Sequence, residues 1–305
     1  MPKPRFTGVI TALVTPFHED GSLDLDAYRA LVREQLAAGV DGLVPCGTTG
    51  ESVTLSLDEQ VRLVTACREE ARGMVPVIAG AGANDTRKAV ANQLAMHELG
   101  VDATLHVTPY YNKPTQEGLY RHFRAVAEAA PTPVILYNVP GRTGVDMLPE
   151  TVARLAADCP TIVGVKEATG SIARAQDVLN RIQALQGGKG REDFAVLSGD
   201  DGLVLGLLAI GGHGVISVMS HLCCNELSQM IKAFRHGKIA EAQALAKRTS
   251  PLAHILFFRT SPIPVKTALA WRGLIKKTFR LPLCPLDDGE EAQLRKMLTA
   301  EGWLP

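Results

Sequence analysis

The run Thr161-Ile162-Val163-Gly164-Val165-Lys166-Glu167-Ala168-Thr169-Gly170 begins as an apolar strand and ends on a charge. A short, continuous apolar stretch bounded by turn residues is the pattern of a strand in a parallel sheet, where helices cover both faces. Lys166 is at odds with that setting. An ammonium at the end of such a strand loses hydration, so it must be paired, reach water or give up its proton. One reading is a snorkelling lysine paired with Glu167. The other is a nucleophile: with a pKa near ~10.4, well under ~1% of free lysine is neutral amine at pH 7, and a desolvating site raises that fraction and makes a Schiff-base former.

Outward from this strand, short apolar runs alternate with amphipathic segments as far as about residue 220. They predict eight strands, at 8–14, 42–46, 75–79, 103–107, 134–137, 162–165, 194–197 and 214–218. Between them lie helical patterns such as Tyr28, Leu31, Val32 and Leu36, with Gly39 just past the end. Ser56 with Glu59 is a capping box, and Asp85 and Thr115 are further N-caps. Eight strand-then-helix units predict a (β/α)8 TIM barrel. A doubly wound sheet would carry a Gly-rich dinucleotide turn after the first strand, and none is present. Beyond the last strand only helical patterns remain, at 225–234, 239–258, 264–275 and 287–298. The expected division is a catalytic barrel over 1–222 and a small C-terminal helical domain over 223–305, with 187–193 (Gly-Gly-Lys-Gly-Arg-Glu-Asp) as an exposed polar loop.

Composition narrows the function classes. A chain of 305 residues, 46% hydrophobic and 21% charged, has the makeup of a globular protein with room for one large domain and a small one. Lys+Arg and Asp+Glu are equal at 32 each and no basic cluster interleaves with aromatics, so nucleic acid is not expected as a partner. No run approaches ~18 uncharged apolar residues, and the start, Met-Pro-Lys-Pro-Arg-Phe, carries no apolar leader; the expectation is a cytoplasmic protein without membrane contact. Cys46, Cys67, Cys159, Cys223, Cys224 and Cys284 form no CxxC pair and lack suitably spaced histidines, so they read as free thiols, with no metal site expected.

In a (β/α)8 barrel the active site lies at the carboxyl ends of the strands. There the sequence collects Gly47-Thr48-Thr49-Gly50-Glu51-Ser52, Thr108-Pro109-Tyr110-Tyr111-Asn112, Tyr137 to Gly144, Lys166, Ser198-Gly199-Asp200-Asp201, and Gly212-His213-Gly214-Val215-Ile216-Ser217. The two glycines around Thr48-Thr49 make either a capped turn or a cradle in which backbone N–H groups and hydroxyls hold a carboxylate. Tyr110 and Tyr111 are packing aromatics or proton relays. Arg142 is a solvated side chain or a carboxylate clamp, and His213 reads first as structural. A neutral lysine that condenses with a ketone, a phenol that moves protons, and donors for two carboxylates are together the parts of a class I aldolase.

With these motifs the sequence resembles the dihydrodipicolinate synthase and N-acetylneuraminate lyase superfamily, and within it the synthase branch, over essentially the whole chain. The resemblance rests on Gly-Thr-Thr-Gly-Glu-Ser at 47–52, Val-Thr-Pro-Tyr-Tyr-Asn at 107–112, Tyr-Asn-Val-Pro-Gly-Arg-Thr-Gly at 137–144, Val-Lys-Glu-Ala-Thr-Gly at 165–170 and Gly-Gly-His-Gly-Val-Ile-Ser at 211–217. It implies that Lys166 forms an imine with pyruvate, that Thr48 and Thr49 lie against the pyruvate carboxylate and carbonyl, and that Tyr137 is the main acid/base, relaying through Thr48 to Tyr111 of a neighbouring subunit. It further implies that Gly199 and Ile216 border the lysine, and that Arg142 binds the carboxylate of the second substrate, L-aspartate 4-semialdehyde. The product would be 4-hydroxy-tetrahydrodipicolinate, the committed step toward diaminopimelate and lysine, made by a homotetramer of two tight dimers without cofactor. A regulatory lysine site is implied at Ser52, Asn84, Lys88 and Tyr110. Members inhibited by lysine commonly carry histidines at the positions of Leu57 and Gln60 and a glutamate at that of Lys88. With a cation at 88 the expectation is weak or absent feedback. The alternatives are another pyruvate-dependent aldolase of the superfamily, acting on a sugar-derived aldehyde; a sugar-phosphate isomerase barrel using the glycines at 211–214 as a phosphate cup; and a catalytically inactive barrel that serves as a binding protein.

Overall fold

A computed structural model describes residues 4–188 and 190–304, so the opening Met-Pro-Lys and Lys189 of the expected polar loop lie outside the described residues. The eight strands are β1 (Gly8–Ala12), β2 (Gly42–Val44), β3 (Ile78–Gly80), β4 (Ala103–Val107), β5 (Val134–Asn138), β6 (Ile162–Glu167), β7 (Ala195–Ser198) and β8 (Gly214–Ser217). All pair in parallel, in the order β2-β1-β8-β7-β6-β5-β4-β3, and a parallel bridge between Leu43 and Val77 brings the two ends of the sheet together. The result is the expected (β/α)8 barrel. Its interior is filled by Ile10, Val44, Ile78, Leu105, Ile135, Leu197 and Ile216, which share one apolar cluster; the outward faces pack on helices.

Helices α1 (Leu25–Ala37), α2 (Leu57–Ala71), α3 (Thr86–Glu98) and α4 (Gln116–Ala129) follow the first four strands. Their starts were legible: Ser56 and Glu59 form both bonds of a capping box, and the side chains of Asp85 and Thr115 accept from Arg87 N and Gly118 N. Gly39 takes a φ of +79° beyond α1, a conformation glycine adopts without a Cβ penalty. After β5 the expected loop is a one-turn helix, α5 (Pro140–Thr143), followed by α6 (Pro149–Asp158). Proline at the first position presets φ for α5, and Gly144 ends it at φ +73°.

Several boundaries differ from the sequence reading, among them β1, which ends at Ala12, and β6, which runs on through Lys166 to Glu167. Strand β2 stops at Val44, because Pro45 has no N–H to give the ladder and Cys46 turns left-handed at φ +56°. Strand β3 sits later than expected, at Ile78–Gly80. The polar loop begins late, since α7 (Ile172–Gly188) runs through the two glycines. Arg191, expected exposed, folds back with its guanidinium donating to the carbonyls of Ala156, Pro160 and Ile162.

After β7 and β8 come α8 (Val204–Ala209), α9 (Ser220–Arg235), α10 (Ile239–Ile255), α11 (Ile263–Trp271) and α12 (Asp288–Ala300). Helix α9 packs on β1 and α10 and kinks at Cys223, where φ is −139° and ψ 37°. The division after residue 222 falls at this kink, and residues on both sides of it share one core cluster. Cys223 and Cys224 are buried packing thiols, bonded to the carbonyls of Met219 and Ala38. Burial pushes the Cys224 thiol up to about 11 and Cys67 up to about 12. Among the described residues no helix is long and apolar enough to cross a membrane.

Candidate active site

Strands β5 and β6 place the reactive pair. Tyr137 and Lys166 are partners in the parallel register, so their side chains leave the same face, toward the barrel axis. Lys166 Nζ lies 4.3 Å from the centroid of the Tyr137 ring. Lys166 is 6% exposed and, among the described residues, has no carboxylate partner in an ion pair. The alternative of a Lys166–Glu167 pair fails because successive strand residues face opposite ways. Glu167 points outward, where it accepts from Arg174 Nε and Thr169 N, both at 3.0 Å.

A cavity of about 290 Å³ opens above this pair, bordered by Thr48, Thr49, Tyr137, Arg142, Lys166 and Gly199. Seen from the sequence, six expected site residues thus converge. Gly199 is required by space: a Cβ there would stand 2.5 Å from Ala168 Cβ and 3.1 Å from Lys166 Cε. Ile216 is buried in the barrel interior in the same cluster as Tyr137, beneath the cavity and not on its wall. Arg142 stands exposed at the mouth on α5, its Nη2 donating to Ser261 O at 3.3 Å. Thr48 also borders a second hollow of about 240 Å³, walled by Ser52, Val53, Tyr110 and Arg142.

Of the expected site residues Tyr111 is elsewhere, and His213 is structural, as its sequence reading has it. Tyr111 is 90% exposed at φ +74° and does not reach either cavity of its own chain. His213 precedes β8 at its amino end, where Nδ1 accepts from Val196 N at 3.0 Å. That end is opposite the cavity, so the glycines at 211–214 form no phosphate cup at the active-site face. Of the regulatory set, Asn84 Nδ2 donates to Tyr110 O at 3.2 Å, Ser52 lines the second hollow, and Lys88 is exposed on α3.

The sequence reading missed the cavity roof, which α10 and the segment after it supply through Ala253, His254, Phe257 and Ser261. No local signal marks them, since only tertiary packing brings α10 over the barrel. It also missed the work of Asp201, whose Oδ2 accepts from Val218 N and Met219 N, both at 2.9 Å, fixing the chain beyond β8. Burial raises this carboxyl's pKa, opposed by its hydrogen bonds with Ser217, Met219 and Val218 and by the charge of Lys166. Among the described residues no group of three or more His, Cys, Asp or Glu gathers in a way that would hold a metal ion.

A buried lysine on a phenol ring, beside hydroxyls and an arginine at the mouth of a parallel barrel, is the arrangement expected of a carbonyl-condensing lyase. The sequence matches the model of the dihydrodipicolinate synthetase family over residues 5–301, and the chain belongs to that family. The 4-hydroxy-tetrahydrodipicolinate synthase of Maridesulfovibrio salexigens is 51% identical over 297 residues, 97% of this chain and 99% of that one. The crystal structure of dihydrodipicolinate synthase from Thermotoga maritima superimposes with a TM-score of 0.93 at 43% identity, covering 98% of this chain and 100% of the other. The structure of the enzyme from Cyanidioschyzon merolae with lysine bound gives a TM-score of 0.93 at 42% identity, over 99% of this chain and 100% of that one.

Proposed function

We infer that this enzyme condenses pyruvate with L-aspartate 4-semialdehyde to give 4-hydroxy-tetrahydrodipicolinate, the step that commits carbon to diaminopimelate and lysine. The observation that carries this reading is the buried Lys166 against Tyr137, with Thr48, Thr49 and Arg142 around one cavity; the names of the relatives supply the product.

Lys166 attacks the pyruvate ketone, and loss of water leaves an imine. Protonated, the imine draws electrons from the adjacent methyl, so that a methyl proton can leave and an enamine forms; the imine is the electron sink, and the scheme calls for no metal or nucleotide. The enamine carbon attacks the semialdehyde carbonyl. The amino group of the new adduct then closes on the imine carbon and releases Lys166. Thr48 and Thr49 hold the pyruvate carboxylate, Tyr137 carries protons through Thr48, and Arg142 takes the semialdehyde carboxylate as a charge-assisted pair. Gly199 and Ile216 keep the lysine's surroundings tight.

Tyr111 completes the relay from a neighbouring subunit, which fits its outward position, and the assembly is a homotetramer of two dimers in the cytoplasm. Lysine feedback is weak, because the exposed Lys88 repels a second ammonium at a regulatory site made of Ser52, Asn84 and Tyr110.

Borohydride reduction with and without pyruvate, followed by peptide mapping, tests the reading. A pyruvate-dependent adduct on Lys166 is expected. No adduct in a folded protein would overturn it and favour a binding protein.

A further inference from the structure

The loop that carries Thr48 and Thr49 is tied to the C-terminal segment through a buried ion pair. Lys266 Nζ on α11 donates to Glu51 Oε1 at 2.5 Å and to Thr278 O at 2.7 Å, and Arg280 N donates to Glu51 Oε2 at 3.2 Å. The two side chains are 0% and 1% exposed. The rings of Phe17 and Phe279 stand 4.6 and 4.7 Å from the ammonium. A buried ion pair is a weak source of stability, since apolar residues of the same volume often do as well. Its presence here calls for another reason.

That reason lies in the backbone. Cys46 and Glu51, both non-glycine, are left-handed at φ +56° and +54°, and they bracket Gly47-Thr48-Thr49-Gly50. Side-chain-bearing residues hold such angles only where the surroundings impose them. Inside the bracket, Gly50 N and Ser52 N donate to Gly47 O, Glu51 N donates to Thr48 O, and Thr15 Oγ1 holds Gly50 O at 2.7 Å. Among the described residues none of these bonds uses the N–H of Thr48 or Thr49, which leaves both free at the cavity that these residues line. Arg280 braces the same corner from outside, donating to Thr54 O, Gly21 O and Glu59.

We propose that Glu51 and Lys266 are positioning residues: the C-terminal segment, through this pair, sets where the Thr48-Thr49 loop presents its donors to the pyruvate carboxylate. The inference rests on the reading of the cavity as a pyruvate site. The C-terminal segment therefore acts on catalysis as well as on packing.

The experiment is pyruvate-dependent borohydride trapping on Lys166, titrated with pyruvate, together with thermal melting. The double variant Glu51→Gln/Lys266→Met removes both charges and keeps similar side-chain lengths. Its half-saturating pyruvate is expected to rise about ten-fold, the worth of one displaced hydrogen-bonded contact, with the plateau of trapping and the melting temperature near those of the unaltered protein. An unchanged half-saturation in a folded double variant overturns the proposal. If the double variant does not fold, Glu51→Gln alone decides: a rise of about three-fold supports the positioning role, and no rise overturns it. Absence of any adduct in the unaltered protein would instead sink the pyruvate reading, so the two failures are told apart.

Discussion

Gly199 stands against both Ala168 and the stem of Lys166, with no room for a side chain of its own. Gly199 N donates to Glu167 O at 2.7 Å, which draws the β7 end against β6 until only a hydrogen fits between Gly199 and the lysine stem. Its φ is not in the left-handed region, so alanine would meet no backbone penalty and the whole effect must come from contact. Gly199→Ala is expected to destabilise by about 1–3 kcal/mol through overpacking. It should also cut turnover by about 10²-fold, because the displaced Lys166 no longer reaches the ketone. Thermal melting and steady-state rates measure both; a Gly199→Ala enzyme with undiminished kcat would mean that Lys166 is not held by this contact. At this scale the sequence was informative wherever chemistry and chain position coincide. Lys166 contradicts its own strand, and a contradiction is visible without a structure. Lys266 is just as buried, but it sits in an unremarkable helical pattern, and its partner Glu51 is 215 positions away.

At the scale of elements, β4 and the helices that cover it carry an unusual load of buried imidazole. Gln93 Oε1 on α3 can only accept, and it takes Thr104 Oγ1 at 2.6 Å and His106 Nε2 at 3.0 Å. His106 therefore carries a proton on Nε2. His122 on α4 meets Thr86 Oγ1 through Nδ1 at 2.9 Å. Burial pushes His106 down to about 3 and His122 down to about 4, whereas an unfolded histidine titrates near ~6.5. Above ~6.5 neither state binds the proton and the stability is fully present; as pH falls toward about 4 and then 3 only the unfolded chain takes it up, and stability is lost. At pH 5 the loss is about 2 kcal/mol for each histidine. His106→Gln keeps a donor toward Gln93 and cannot titrate, so the drop in urea stability from pH 7 to pH 5 should shrink by about that amount. An identical drop would show that His106 is protonated in the fold. The strands themselves were easy to read, because apolar runs covered on both faces have no other plausible place. Their ends were not. The stop of β2 depends on Pro45 and the left-handed Cys46, and the one-turn α5 is too short for periodicity to register.

For the whole molecule, the informative residue is the one that leaves its own site. The segment after β4 holds two non-glycine residues at positive φ, Tyr111 at +74° and Lys113 at +45°, and Asn112 Nδ2 donates to Asn84 O at 2.9 Å, bracing it. Strained backbone that delivers a tyrosine 90% into solvent makes sense when a second surface receives it. Val53, 75% exposed, lines the second hollow, and Leu57, 42% exposed, follows it in the chain beyond β2. In a two-fold dimer each chain would lend its Tyr111 to the other's cavity. Subunit mixing separates this from a role within one chain. Lys166→Ala and Tyr111→Phe chains are each expected to turn over poorly as homo-oligomers. Co-refolded in equal amounts, half of the dimers are mixed, and in each the Tyr111→Phe chain keeps its lysine and receives an intact tyrosine from the Lys166→Ala chain. Activity should return to about a quarter of the unaltered level, one sound site in every four. Were Tyr111 to serve its own chain, no mixed dimer would contain a complete site, and mixing would restore nothing beyond the average of the two variants.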